Sequence, residues 1–268
     1  MTDSAVRTFQ TRSGPMLVLV TDQYVGRSIE LYGEYCPEEG RILAQIIQPG
    51  MTVVEIGANM GTHSVDMARA CAPGRFYAFE PQPRLFQILC ANLALNDIAN
   101  AFAYPDGCGA AEGEAVVPLV DYSQSGNFGG LALRDGDAPG LKIRIRALDD
   151  MDLPALGLLK VDVEGYEAEV IRGATQTIRR CRPVIYIEND RAAKQDELIA
   201  LIYALDYRLY WHVPYLYSAD NFRGETENIF PGIASLNMLC LPRETGSTVA
   251  GVPEIVPGDG SSPLKSKP

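Results

Sequence analysis

Three acidic side chains, Glu55, Glu80 and Asp162, each stand in or at the end of a short apolar run: Thr52 to Ile56, Arg75 to Phe79 and Leu156 to Val161. Open α/β sheets bind ligands beyond the carboxyl ends of their strands, so carboxylates at these places would line a crevice. After the first run come Gly57 and Gly61, and from Thr62 the pattern reads as helix. The glycines allow a sharp turn and a close approach of backbone to ligand, and the helix start aims free N–H groups into that turn. A dinucleotide site would space its glycines G-x-G-x-x-G and hold a pyrophosphate there. Here Glu55 precedes Gly57, and a carboxylate in that position repels pyrophosphate but attracts an ammonium.

About 20 residues further on, Glu80 takes the place where α/β nucleotide sites keep the carboxylate that accepts both ribose hydroxyls. A ribose, an amino-acid group and no phosphate together describe S-adenosylmethionine. The expected cofactor contacts are Glu55, Gly57, Ala58, Asn59, Gly61, His63, Glu80 and Pro81. Asp106 and Gly107 would lie near the adenine, and Asp162 is a further contact. Asp106 has an equal second reading as a turn former, because Pro105-Asp106-Gly107 is a standard turn sequence.

Three motifs in order, Glu55-Ile-Gly-Ala-Asn-Met-Gly-Thr-His-Ser64, Phe79-Glu-Pro81 and Leu159-Lys-Val-Asp-Val-Glu-Gly-Tyr-Glu-Ala-Glu-Val-Ile-Arg-Gly-Ala174, resemble the FkbM family of S-adenosylmethionine-dependent methyltransferases. The resemblance runs from about Tyr24 to Pro242. It implies a Rossmann-like class I methyltransferase fold and methyl transfer to a hydroxyl of a small-molecule natural product or sugar. Two alternatives stay open: an N-methyltransferase acting on a peptide side chain, and a non-catalytic protein retaining the fold. In the family the segment before the first motif lies against the cofactor pocket, which makes Glu34 and Tyr35 candidates for a contact.

Methyl transfer requires donor and acceptor in line and, for a hydroxyl, removal of its proton. Asp162, Glu188 and His212 are the expected catalytic residues; Glu164 and His63 are further candidate bases. Asp162 could instead hold the cofactor ammonium or cap the helix beginning near Glu164. A metal-free mechanism is the default. The alternative is a Mg²⁺ site formed by Asp162, Glu188 and Asn189, which resembles the Asp plus Asp-Asn set of catechol O-methyltransferase. Lys160 and Glu167 have no assigned direction.

The elements that must position these groups alternate strand and helix from Thr52 onward: strands at 52–56, 75–80, 100–104, 156–162, 182–190, 207–211 and 234–241, and helices at about 62–71, 83–95, to Gly173 and 191–205. That pattern predicts a seven-stranded, mostly parallel, doubly wound sheet with an antiparallel last strand at the end of the sheet. Three regions are expected: 1–50, a β/helical segment packing on the cofactor site, with a strand at Met16 to Val20 after a frayed start; 51–243, the Rossmann-like domain; and 244–268, a disordered tail. Between strands at Glu114 to Val120 and Leu141 to Ile145, the loop Ser123 to Gly140 reads as a substrate-facing flap. The aromatic stretch Tyr210 to Tyr217 reads either as a substrate wall or as core.

The net charge of −11 and the lack of a Lys/Arg cluster argue against a nucleic-acid partner. No apolar run reaches the ~18 residues a membrane helix needs. The first 15 residues are too polar for a signal peptide, so a cytoplasmic location is expected. The six cysteines contain no C-x-x-C pair, which leaves them as packing residues. The expected partner is a small-molecule or glycan acceptor, and the oligomeric state is left open.

Overall fold

Val53–Ile56, Phe76–Phe79 and Leu158–Val161 are buried along their whole length. Unbroken apolar runs of this kind form strands covered on both faces, the condition of a parallel sheet between two layers of helices. In the computed structural model, which describes residues 5–134, 136 and 138–266, they lie at the centre of such a sheet.

The elements, in chain order, are β1 (Val6–Thr11), β2 (Gly14–Leu19), α1 (Val25–Tyr32), α2 (Pro37–Ile46), β3 (Val53–Ile56), α3 (Ser64–Cys71), β4 (Phe76–Phe79), α4 (Pro83–Leu95), β5 (Ala101–Tyr104), β6 (Gly107–Cys108), β7 (Gly113–Val117), β8 (Leu141–Arg146), β9 (Leu158–Val161), α5 (Glu167–Gly173), α6 (Thr175–Cys181), β10 (Val184–Glu188), α7 (Gln195–Tyr203), β11 (Tyr207–His212) and β12 (Asn237–Pro242). The seven-stranded sheet has the order β11-β12-β10-β9-β3-β4-β5. From β10 to β5 all neighbours are parallel, and β12 runs antiparallel to both β10 and β11. The last strand is therefore antiparallel as expected, but it is inserted between β10 and β11, and β11 forms the edge. β6, β7 and β8 form a separate small sheet beside it.

Side chains alternate between two cores. Val54, Ile56, Leu159, Val161, Ile185 and Ile187 pack on α5 to α7, while Val53, Leu158, Phe76 and Ala78 pack with the N-terminal segment and α3 and α4. The second face also carries a polar row. Glu55 is opposite Lys160, and Lys160 is opposite Tyr186, in the registers of β3, β9 and β10.

Two terminal expectations are corrected. Val6–Thr11 is not frayed but pairs with Gly14–Leu19 in a hairpin. The segment after β12 is ordered along the β11 edge: Ile255 is 1% exposed and its N–H donates to the Leu209 carbonyl at 2.7 Å. Trp211 donates its indole N–H to Ser261 Oγ at 3.3 Å, on this same side. A covered edge strand cannot recruit a foreign strand, which gives this segment a role that its polar composition conceals. Among the described residues no helix is long and apolar enough to cross a membrane.

Candidate active site

The loop after β3 owes its path to two glycines with positive φ. Gly57 (φ 88°) approaches the end of β9 so closely that a Cβ would stand 1.8 Å from the Asp162 carbonyl oxygen. At Gly61 (φ 81°) a Cβ would stand 2.8 Å from Leu89. The glycines therefore admit neighbouring protein as much as ligand. Asn59 between them is also left-handed (φ 52°), which turns its N–H toward Glu80 Oε2 at 2.8 Å. Glu80 Oε1 accepts the Gln82 N–H at 2.8 Å. Two backbone donors thus fix the Glu80 carboxylate, and burial still lifts its pKa to about 7 against their pull.

Glu80 stands where two hollows meet. One, of about 270 Å³, is bounded by Glu55, the Gly57–Asn59 loop, His63, Lys160 and Asp162, with Glu164, Glu188 and Asp190 beyond. The other is an apolar slot of about 40 Å³ between Phe79, Cys108, Val117, Leu131 and Leu133, reached by Pro81, Asp106 and Gly107. Asp106 faces the slot with its carboxylate tied to Arg146, whose guanidinium lies 5.3 Å from the Tyr104 ring centre. Asn127, Gly129 and Gly130, from the loop read as a flap, close the roof. Asp22 Oδ2 accepts the Phe128 N–H at 3.1 Å, and Gln82 Nε2 donates to the Phe128 carbonyl at 2.8 Å. Asp135 and Asp137 of that loop lie outside the described residues.

Below the loop, Lys160 holds a carboxylate cluster together. Its Nζ is 3.4 Å from Glu39, 3.5 Å from Glu55 and 3.5 Å from Asp162, and its side chain is 3% exposed. Burial would lower the Lys160 pKa, but the three carboxylates outweigh it and keep the amine protonated. Burial likewise favours neutral Glu39, and Lys160 above all reverses the sign and holds it ionised. Glu55, which accepts the Ser64 hydroxyl, is pushed up to about 7 by burial. His63 is kept neutral chiefly by burial, with Nε2 3.6 Å from Glu39.

Asp162, partly exposed, faces the cavity rather than capping a helix, since α5 starts only at Glu167. Glu164 has φ 56°, which swings its side chain to Arg191 and into the group formed with Asp162 and Glu188, whose oxygens all lie within 4.8 Å of one another. Asn189 does not join them. Its amide donates to Met238 Sδ at 3.4 Å and is buried, so the proposed Asp162, Glu188 and Asn189 metal set is not assembled.

His212 also departs from expectation. It is not among the cavity walls; its Nδ1 is 2.8 Å from the Tyr186 hydroxyl, which accepts from Asn237 at 2.9 Å. Tyr35 does line the cavity, whereas Glu34 pairs with Arg12 in a third hollow of about 340 Å³ behind Tyr35 and His63. Lys160, left there without a direction, and Glu39 were missed in the sequence, whereas Gly129 and Gly130 belong to the loop read as a flap. Only Lys160 had a usable signal, its strand parity with Glu55.

An apolar slot, a fixed carboxylate and a carboxylate-rich chamber thus follow one another in the site. Residues 55–209 match the Methyltransferase FkbM domain family. The chain is 29% identical over 157 residues to methyltransferase sdnD of Sordaria araneosa, covering 46% of this chain and 60% of that protein. It is 26% identical over 150 residues to the hexuronic acid methyltransferase AglP of Haloferax volcanii, covering 54% and 59%. The chain thus spans about three fifths of the length of these curated relatives. Among solved structures, the precorrin-6y C5,15-methyltransferase of Geobacter metallireducens superposes with a TM-score of 0.50 at 14% identity, covering 76% of this chain and 88% of that one, a likeness of fold.

Proposed function

From the premise that the chain belongs to the FkbM methyltransferase family, whose match covers more than half of it, and has the class I methyltransferase fold, we propose that it transfers a methyl group from S-adenosylmethionine to a hydroxyl of a small molecule or sugar. The observation that carries the cofactor assignment is Glu80, held by two backbone N–H groups at the junction of an apolar slot and a polar chamber. Each of its oxygens keeps a lone pair for a ribose hydroxyl.

When bound, S-adenosylmethionine supplies an electrophilic methyl group on a sulfonium. Phe79, Leu131 and Leu133 would face the base, with Asp106 at the rim of the slot. The Glu55 carboxylate would offset positive charge in the chamber, with Lys160 limiting the repulsion between it and Asp162. Asp162, whose side chain is partly exposed in the cavity wall, would take the hydroxyl proton. Gly129 and Gly130 stand over the chamber and would limit the access of water. No metal is needed in this reading, in which Asn189 is not among the cavity walls and Glu164 is engaged by Arg191.

The test is calorimetric titration of S-adenosylhomocysteine into the wild type and Glu80→Ala. Micromolar binding, weakened about 100-fold in the variant, is expected for the loss of a charged acceptor of two ribose hydroxyls, about 2.7 kcal/mol. No binding by the wild type would overturn the methyltransferase reading.

A further inference from the structure

The far half of the chamber has a definite sign. Beyond the Gly57–Gly61 loop its charged walls are Asp162, Glu164, Glu188 and Asp190. Among the described lining residues the cation is Lys160, already engaged by Glu39, Glu55 and Asp162. Arg191, behind the wall, is bonded to Glu164 and lies 3.3 Å from Asp190. Every nearby cation is therefore already committed.

Glu188 is left over. Its Oε2 is shielded from solvent and has no hydrogen-bond partner among the described residues. Burial first, then Asp162 and Glu164, disfavour its ionised form. A shielded carboxyl oxygen without a partner is costly, and a chain that keeps one in the wall of its active-site cavity leaves room for a ligand group that brings its own donors. Carboxylates gathered around it select a donor with positive charge.

We propose that the acceptor carries a protonated amine, a handle distinct from the methylated hydroxyl, held by Glu188 and Glu164. This rests on the methyl-transfer reading and names the chemical class of its substrate: an amino sugar or other amine-bearing polyol. The geometry suits an ammonium. One ammonium offers three N–H donors, and the oxygens of Asp162, Glu164 and Glu188, all within 4.8 Å of one another, are close enough together to be reached from a single nitrogen. An acceptor bearing a carboxylate, the kind implied by the name of the hexuronic acid relative, would meet four carboxylates and no free cation among the described lining residues.

The test is ligand-observed NMR on the protein loaded with S-adenosylhomocysteine, using a fragment set with equal numbers of primary amines, neutral polyols and carboxylates. Binding concentrated among the amines and weakened about tenfold in Glu188→Gln is expected, the size of one charge-assisted hydrogen bond. Carboxylates outnumbering amines, amines binding Glu188→Gln unchanged, or no amine binding would each overturn the proposal. Calorimetry with S-adenosylhomocysteine and the unfolding temperature show separately that the variant is folded, so that failure here is distinct from failure of the cofactor assignment. A MnCl₂ titration read by electron paramagnetic resonance forms the other arm. Tight Mn²⁺ binding abolished in Glu188→Gln would assign the group to a metal and also overturn the proposal.

Discussion

Glu55 Oε1 and Lys160 Nζ are 3.5 Å apart, directly opposite each other in the register of β3 and β9, and the same nitrogen reaches Glu39 and Asp162. The carboxylate that the first motif offers to a ligand cation thus already has a cation of the protein's own. Lys160 lets Glu39, Glu55 and Asp162 crowd one chamber without all becoming protonated. Replacing it by Met leaves buried carboxylates uncompensated, the case in which removing one partner costs about 3–5 kcal/mol. Urea denaturation of Lys160→Met should show a loss of that size, and an unchanged midpoint would mean the cluster is held by something else.

Asp22 ties the chamber's roof to its wall. Oδ1 accepts the Tyr24 and Gly26 N–H groups at 3.0 Å each at the start of α1, and Oδ2 accepts the Phe128 N–H at 3.1 Å. Asp22→Ala orphans these donors and frees the segment carrying Gly129 and Gly130. The expected result is a destabilisation of about 1–3 kcal/mol, with S-adenosylhomocysteine bound about tenfold more weakly in calorimetry. Undiminished affinity would show that the roof does not close the cofactor site.

Much of this arrangement is legible locally. Pro83 and the apolar period that follows mark α4 to its ends at Pro83 and Leu95, and each central strand announces itself by burial-seeking residues. Facts of assembly leave no such trace. Nothing in Asn237–Pro242 says that it slots between β10 and β11, because neighbour choice is a property of the sheet. Strand parity puts Lys160 on the face of Glu55, but only packing brings α2 across that face so that Glu39 reaches it. His212 illustrates the opposite error: the residue type suited catalysis, but β11 is an edge strand and aims the ring at Tyr186.

The segment along β11 should behave as structure. Ile255 is 1% exposed and bridges to Leu209. Ile255→Ala leaves a cavity under the edge strand and should cost about 2–4 kcal/mol by thermal or chemical unfolding. A change below about 0.5 kcal/mol, typical of surface sites, would show that this stretch does not pack in solution.

The pH dependence of stability follows from the same crowding. Burial raises Glu55, Glu80 and Glu164 to about 7 from an ordinary 4.5, and it raises Glu188 further. Between pH 4.5 and 7 the folded chain then holds protons that the unfolded chain has released. Stability must fall as pH rises through that window. The lowered His63 and His212 act in the opposite direction below 6.5, but they are outnumbered by the raised carboxyls. The unfolding temperature without ligand should therefore decline from pH 5 to pH 7.5. Saturating S-adenosylmethionine favours ionised Glu55 and Glu80, so it should bind more tightly as pH rises through 7 and flatten the decline. Scanning calorimetry with and without the cofactor checks both signs at once. A stability that rises through this window would mean the chamber carboxyls are not raised.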